Sequence, residues 1–372
     1  MNKLCHVATL IALLMPTLPM SAQVTLQQGS VKVNGVNALI SSTASLINYG
    51  TIIHQGSLLI EKDLLNYGNY EATTSTIVLR GRNQRIVSDT LIIARLRVAG
   101  GGIKSLEGTV EVSNQLHLEQ GLLRVDNRHR LALAGLATII QSNEDSYVWG
   151  GVSHRGTGHK FFPVGTQGEY APLTLTNVRG DRPLVQVQYV STANRPAWLQ
   201  TSLSGSYEGS PVTVTFLSQN PDHKFYPEQL RITAGNSPDQ TRTIFDSGLP
   251  QLNLPSITLS SASPTALPWI SVGFTFNESE EEVYIPNAFS SEAPNPEDRV
   301  IKVYGRYLSH NNFSFGIQDS WGRWLYQTTS LEEASTKGWT TLGSSPAQFR
   351  YVVSGQFLSG NSFLHSDTII KF

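Results

Sequence analysis

The sequence predicts an all-β protein, with N-terminal β-helix or solenoid-like repeats, a middle β-sandwich and a C-terminal immunoglobulin-like β-sandwich. Three observations predict it. Short apolar runs alternate in single-residue steps and are broken by Gly and Asn, the mark of half-buried strands. The hexapeptide Ile47-Asn48-Tyr49-Gly50-Thr51-Ile52 recurs as Leu65-Asn66-Tyr67-Gly68-Asn69-Tyr70, 18 residues on. Finally, strand-length runs separated by Pro- and Gly-rich turns fill Pro172 to Phe276, with no segment of helical period.

The chain has 372 residues, 40% hydrophobic and 15% charged, enough for two or three globular domains. Its net charge of −1 supplies no field to hold nucleic acid or an anionic membrane, so a nucleic-acid partner is disfavoured. Residues 1–22 read as a signal peptide. Lys3 gives the positive start, Val7 to Met15 a nine-residue apolar core, and Ser21-Ala22 a small-residue cleavage site before Gln23. That apolar run is about half of the ~20 residues needed to cross a bilayer, so a membrane-spanning chain is not expected. Cys5, the single cysteine, lies within this segment, leaving the mature chain without disulfides or a cysteine nucleophile.

Residues 23–146 form the expected β-repeat domain. Val31-Lys32-Val33, Leu58-Leu59-Ile60, Ile77-Val78-Leu79, Val110-Glu111-Val112, Leu116-His117-Leu118 and Leu131-Ala132-Leu133 are its strand cores. A fixed short period points to stacked rungs; the competing arrangement is a β-meander sandwich with look-alike turns. Asn and Gly at the corners suit a left-handed backbone. Tyr49, Tyr67 and Tyr70 recur along the rungs and would stack for stability or offer ring faces to sugars.

Residues 147–277 form the expected sandwich, entered through Phe161-Phe162-Pro163-Val164-Gly165. Its strands are expected at Leu173–Thr176, Val185–Tyr189, Val212–Phe216, Leu230–Thr233, Ser256–Leu259 and Ile270–Phe274. Residues 278–284, with the acidic run Glu280-Glu281-Glu282, read as a solvated linker rather than a catalytic carboxylate pair. In residues 285–372, Thr329 to Lys337 is the one segment expected to form a short helix. Trp321 and Trp339 are large apolar side chains that a small domain would bury.

The chemistry expected is sparse. His154 and His159 stand five apart in a Gly-rich loop, but no third ligand completes a zinc set. No Gly-x-Ser-x-Gly motif and no phosphate-binding Gly-Lys-Ser/Thr occurs. No catalytic residue, cofactor or metal is expected, and the chain reads as a non-enzyme.

The tail carries a motif series. Ile285-Pro286-Asn287-Ala288-Phe289 opens it, Asp319-Ser320-Trp321-Gly322-Arg323 ends a strand, Gly338-Trp339 follows, and Phe349-Arg350-Tyr351 precedes the closing strand. In order and spacing over about 88 residues it resembles the type B sorting domain of type IX secretion, the gliding-motility-associated C-terminal domain. The residues that match its motifs are Ile285, Pro286, Asn287, Phe289, Trp321, Gly322, Arg323 and Trp339. The chain departs from the family at Pro294-Asn295-Pro296-Glu297-Asp298, which lacks two turn glycines, and at Thr340-Thr341, where Asp-Gly is usual. The repeat region is similar in pattern to the N-terminal parts of large secreted proteins of such bacteria. Asp89-Thr90-Leu91 and Asp367-Thr368-Ile369 resemble their O-glycosylation acceptors.

The resemblance implies export to the cell surface or medium of a Gram-negative bacterium. Its partners would be the type IX translocon and an outer-membrane β-barrel, with surface polysaccharide as a further candidate. A structural or adhesive role is the first expectation. A component of the secretion or gliding machinery is the second, and a surface carbohydrate-binding protein or hydrolase the third.

Overall fold

The computed structural model describes residues 23–26, 30–33 and 39–372, apart from 192–194, 219, 238–239, 244–246 and 342–346. The segment expected to be the signal peptide lies outside the described residues. Among the described residues, strands make up 59% and helices 7%, as the fold class requires.

The N-terminal region is a β-solenoid of about 6 turns. Each turn lays one short strand on each of three faces, and successive turns pair in parallel. Ser45–Asn48 lies between Gln23–Leu26 and Leu64–Asn66, Thr51–His54 between Ser30–Val33 and Asn69–Leu79, and Ser57–Ile60 between Leu39–Ser42 and the far half of Asn69–Leu79. Further along, Gln84–Val98 and Ile103–Leu118 each bend round several faces in one long strand. Leu122–Val125, Arg130–Leu133 and Thr138–Ile140 complete the stack. The 18-residue repeat seen in the sequence is the pairing register itself: Leu46 faces Leu64 and Asn48 faces Asn66. Later turns lengthen, and Leu123 faces Val148, 25 residues on.

Alternation within strands becomes columns between them. Leu58, Ile77, Leu96 and Leu116 stand in register, as do Ile60, Leu79, Val98 and Leu118, and all are buried. Each column excludes water along the solenoid axis, which is the source of the repeat's stability.

The corners correct one expectation. Neither Gly50 nor Gly68 adopts a positive φ. Gly68 is required because a Cβ there would lie 2.1 Å from the Gly50 carbonyl oxygen of the turn below. Nor do the asparagines serve backbone permissiveness. Asn48 and Asn66 are buried and form a ladder: Asn48 Nδ2 donates to Asn66 Oδ1 at 2.7 Å, and Asn66 Nδ2 to Ser88 Oγ at 3.1 Å. Gly50 N–H donates to Asn48 Oδ1 at 3.0 Å, so each side chain also satisfies its own corner.

The solenoid is closed by a change of pairing. Val148–Arg155 receives Arg130–Leu133 in parallel and Leu184–Ser191 antiparallel. From there one sheet continues through Pro196–Ser204, Trp269–Phe274, Leu230–Gly235 and Thr241–Thr243. A second sheet of Gly158–Phe162, Leu173–Val178, Val212–Leu217, Ser256–Ser260 and Gln251–Asn253 faces it. All six expected strands of this region are present. The apolar core runs unbroken from Ile52 to Val272, so repeats and sandwich are one packed body across the 146/147 boundary. One expectation is corrected here: Pro221–Phe225 is an α-helix, too short to show a helical period, capped by the Asn220 side chain on Asp222 N–H.

The terminal region has its own core, from Ile285 to Ile369. Its five-stranded sheet runs in the order Ala288–Phe289, Ser362–Lys371, Ala347–Gln356, Ser314–Gln318, Trp324–Thr328. The expected helix is Leu331–Thr336, capped by Ser330 Oγ on Glu333 N–H, with Leu331 and Ala334 turned inward. The expected linker needs correction. Glu282–Tyr284 is a strand paired with Tyr304–Arg306, Glu280 bridges Arg306 at 3.4 Å, and Glu281 accepts from Asn361 Nδ2 at 3.2 Å. The acidic run is therefore part of the terminal body, with the Glu280 and Glu281 carboxylates engaged in contacts within it. Among the described residues no helix is long and apolar enough to cross a membrane.

Candidate functional site

The residues of the terminal motif series divide into an inner and an outer set. Ile285, Phe289 and Trp339 are buried. Phe289, Trp339 and Phe349 interlock, with Phe289 to Trp339 at 5.8 Å and Trp339 to Phe349 at 4.9 Å between ring centres, both edge to face. The opening Ile285-Pro286-Asn287 threads the chain onto the main sheet. There Asn287 C=O accepts from Ile370 N–H at 2.9 Å, and Phe289 C=O from the Phe372 N–H at 3.0 Å. Pro296–Arg299 is a 3₁₀ turn capped by the Asn295 side chain on Glu297 N–H.

The outer set sits on the hairpin joining Ser314–Gln318 to Trp324–Thr328. Asp319 organises it. Its Oδ1 accepts from Trp321 N–H and Arg323 N–H, each at 2.9 Å, and its Oδ2 from Arg323 Nε at 2.8 Å. Burial alone would raise its carboxyl pKa, but these donors hold it below the ordinary 3.8. Gly322 has φ +79° with open space around it, so glycine is needed there for backbone conformation alone.

Trp321 overturns the expectation of burial. The turn throws its side chain outward, and it is 83% exposed. Its neighbour Trp324 lies across Gly316, where a Cβ would come within 2.5 Å of the indole. Trp324 and Leu325 are exposed too, on an edge strand. The hairpin thus presents two indoles, an aliphatic side chain and an Asp319–Arg323 ion pair on a turn held by the Asp319 hydrogen bonds. Such a surface buries apolar area against a partner at little ordering cost.

Sequence reasoning missed two further features. The first is a latch between sandwich and terminal body. Asp222, buried on the short helix, accepts from Ser309 Oγ at 2.7 Å, His310 N–H at 2.7 Å, His310 Nδ1 at 3.0 Å and Asn311 Nδ2 at 3.0 Å. His310 stacks on Phe225 at 3.9 Å, and Tyr226 Oη donates to Leu308 C=O at 2.9 Å. Burial would raise the Asp222 pKa; the donors pull it below 3.8. Asn220-Pro221-Asp222 is a legible cap, but nothing local marks partners 87 residues away.

The second is a groove of about 820 Å³ along one solenoid corner, lined among others by Arg82, Gln120, Asn143, Asp145 and Gln167. Its floor is Gly100-Gly101-Gly102, all left-handed at φ +74°, +69° and +67°. Lys104, fully buried beneath, donates its ammonium to Gly101 C=O, and burial lowers its pKa to about 8. The run of three glycines was the available signal.

The remaining candidates separate. His154 is buried edge-on against Phe162, and burial, helped by the Lys160 charge, lowers its pKa to about 3. His159 is exposed. Tyr49 and Tyr67 stack at 5.2 Å on the solenoid surface, whereas Tyr70 turns inward and meets His54. Thr90 is exposed, and Thr368 is half-buried beside Asp367. No protein-family model, curated protein or solved structure matches the chain.

Proposed function

We propose that the chain is a non-catalytic secreted or cell-surface protein, delivered by type IX secretion through its terminal body, with a structural or adhesive role. The observation that carries this reading is the division of the motif residues. Ile285, Phe289 and Trp339 build a separate core, while Trp321 and Arg323 stand outside it on a hairpin braced by Asp319. An address must fold without help from its cargo and still offer a surface to a receptor. The rest of the chain is stacked sheet suited to spacing and presentation.

Replacing Trp321 by Ala tests it: surface delivery, followed by protease accessibility on intact cells, falls severalfold while the purified protein keeps its thermal midpoint. Unchanged delivery would remove the hairpin from the recognition surface. Stoichiometric retention of the chain on the purified translocon would favour the machinery role instead.

A second reading, a carbohydrate-contacting stalk, is favoured by the corner groove. Its amides, guanidinium and carboxylate suit pairs of sugar hydroxyls, and its glycine floor allows close approach.

A further inference from the structure

We propose that the pocket beside Trp149 is a binding site for a single neutral sugar ring, separate from the corner groove. Its origin is the handover from solenoid to sandwich. Val148–Arg155 pairs in parallel with Val164–Thr166 through Val148 and Trp149, then antiparallel with Leu184–Ser191 from Gly151 onward. The strand thus changes neighbours at Gly150, and both neighbours line the pocket at that fork. Gly150 holds the opposite edge tight: at φ +129°, a Cβ there would lie 2.0 Å from the Val125 carbonyl oxygen.

Register brings the chemistry to this fork. Leu123, Val148 and Val164 are buried as one column, so Arg124, Trp149 and Gly165 form the outward one. Arg124 lies over the indole, 5.4 Å from the ring centre. Asp126 fixes it there, accepting from its Nε at 3.1 Å and its Nη2 at 3.0 Å. Gly165 adds no side chain beyond the indole, because a Cβ there would come within 2.2 Å of the Glu169 carbonyl oxygen. The gap opens into a pocket of about 310 Å³, lined among others by Asn127, Arg128, Trp149, Thr166 and Gln188. That is the lower end of the range for small-molecule sites, about 300–1,000 Å³, with room for one ring rather than a chain.

The walls select the ligand class. An indole face is electron-rich and takes polarised C–H groups, which the face of a pyranose supplies. Gln188 Nε2 donates to Asn127 Oδ1 at 3.2 Å, tying together two amides 61 residues apart. Among the described residues, Asn127 Nδ2 and Gln188 Oε1 make no hydrogen bond, which leaves a donor beside an acceptor. Sugar hydroxyls, each donor and acceptor at once, match such a pair. Charge favours a neutral ring. Arg124 and Arg128 are balanced by Asp126 and by Glu169, whose carboxylate accepts from Tyr189 Oη at 2.5 Å on the pocket wall. The site shares no lining residue with the corner groove, and its existence does not depend on that groove binding sugar.

Saturation-transfer NMR and titration of the purified chain test the proposal. The probes are the methyl glycosides of glucose, galactose, mannose, fucose and N-acetylglucosamine. At least one is expected to bind with a Kd of about 1 mM, receiving saturation on the C–H protons of one ring face. Trp149→Ala weakens that binding about tenfold. Asn127→Ala, at an exposed corner, weakens it severalfold, whereas Arg82→Ala and Gln120→Ala in the corner groove leave it unchanged. No binding anywhere in the panel would overturn the proposal. So would binding that survives both Trp149→Ala and Asn127→Ala, or that is lost in the groove variants instead. Methyl glucuronide held more tightly than methyl glucoside would overturn the neutral class. If Trp149→Ala fails to fold, the Asn127→Ala result decides alone.

Discussion

The solenoid and the terminal body are both built of strands, yet they hold together by different means. In the solenoid, the inward-facing columns and one corner repeat their environment a turn later: Leu58 over Ile77, Asn48 over Asn66, Tyr49 over Tyr67. Stability is spread along the axis, and each turn leans on its two neighbours. In the terminal body no residue repeats. Phe289, Trp339 and Phe349 meet from positions far apart in the chain and concentrate the packing at one point. The first design tolerates drift in any one rung provided the backbones can touch. The second tolerates drift at the surface but not in its aromatic centre.

The largest effect is expected where solenoid backbones touch. Gly108 has φ +118°, and a Cβ there would lie 1.7 Å from Ser88 C=O. Gly108→Ala should cost about 3 kcal/mol or more in urea unfolding, with loss of the far-UV strand signal from the repeats. A cost under about 1 kcal/mol would mean that the stack is looser than its register implies.

The terminal body should break differently. Trp339→Ala removes the middle of the aromatic cluster and should cost about 3–5 kcal/mol, confined to that body. Limited proteolysis would then release residues beyond 282 while the solenoid and sandwich stay resistant. Trp321→Ala, on the exposed hairpin, should change stability by no more than about 0.5 kcal/mol. Equal losses from the two tryptophans would erase the distinction between inner and outer sets.

Acid should sharpen the comparison from the other side. His54, His154 and His223 all have pKa values lowered by burial, His154 to about 3 and His223 to about 4, the latter opposed in part by Asp222. The unfolded chain protonates each near 6.5, before the folded chain does. Stability is therefore complete above pH 6.5 and falls as pH drops toward the folded values. Between 6.5 and the folded value, the slope approaches about 1.4 kcal/mol per pH unit for His154 and for His223. These histidines lie in the solenoid and sandwich, so the terminal body should outlast them between pH 6 and 4.5. His154→Leu should reduce the slope; an unaltered slope would place the acid sensitivity elsewhere. Asp222, held below 3.8, adds its loss only at lower pH.

Legibility in the sequence followed the same division. The repeat of Asn-Tyr-Gly was visible because stacking forces like residues into register at a fixed spacing. Its physical purpose was not, since a ladder of buried amides and a left-handed corner both ask for Asn. The middle strands were readable from alternation, but the one-turn helix at Pro221–Phe225 was too short to show a period. In the tail, the order of motifs was legible while the fate of each side chain was not. Trp321 and Trp339 look alike as residues, and only the Asp319 turn decides that one points out. The Asp222 latch joins residues separated by 87 positions, with no local pattern to announce it. The groove on Gly100-Gly101-Gly102 was signalled by composition alone, because its walls come from several successive turns.

The central claim is that the terminal body is a self-contained address. The most direct measurement fuses residues 278–372 to the C-terminus of an exported periplasmic reporter and follows the reporter by fractionation and surface proteolysis. Delivery of the reporter to the cell surface or the medium is the predicted result. A folded, protease-resistant fusion that stays in the periplasm would contradict it.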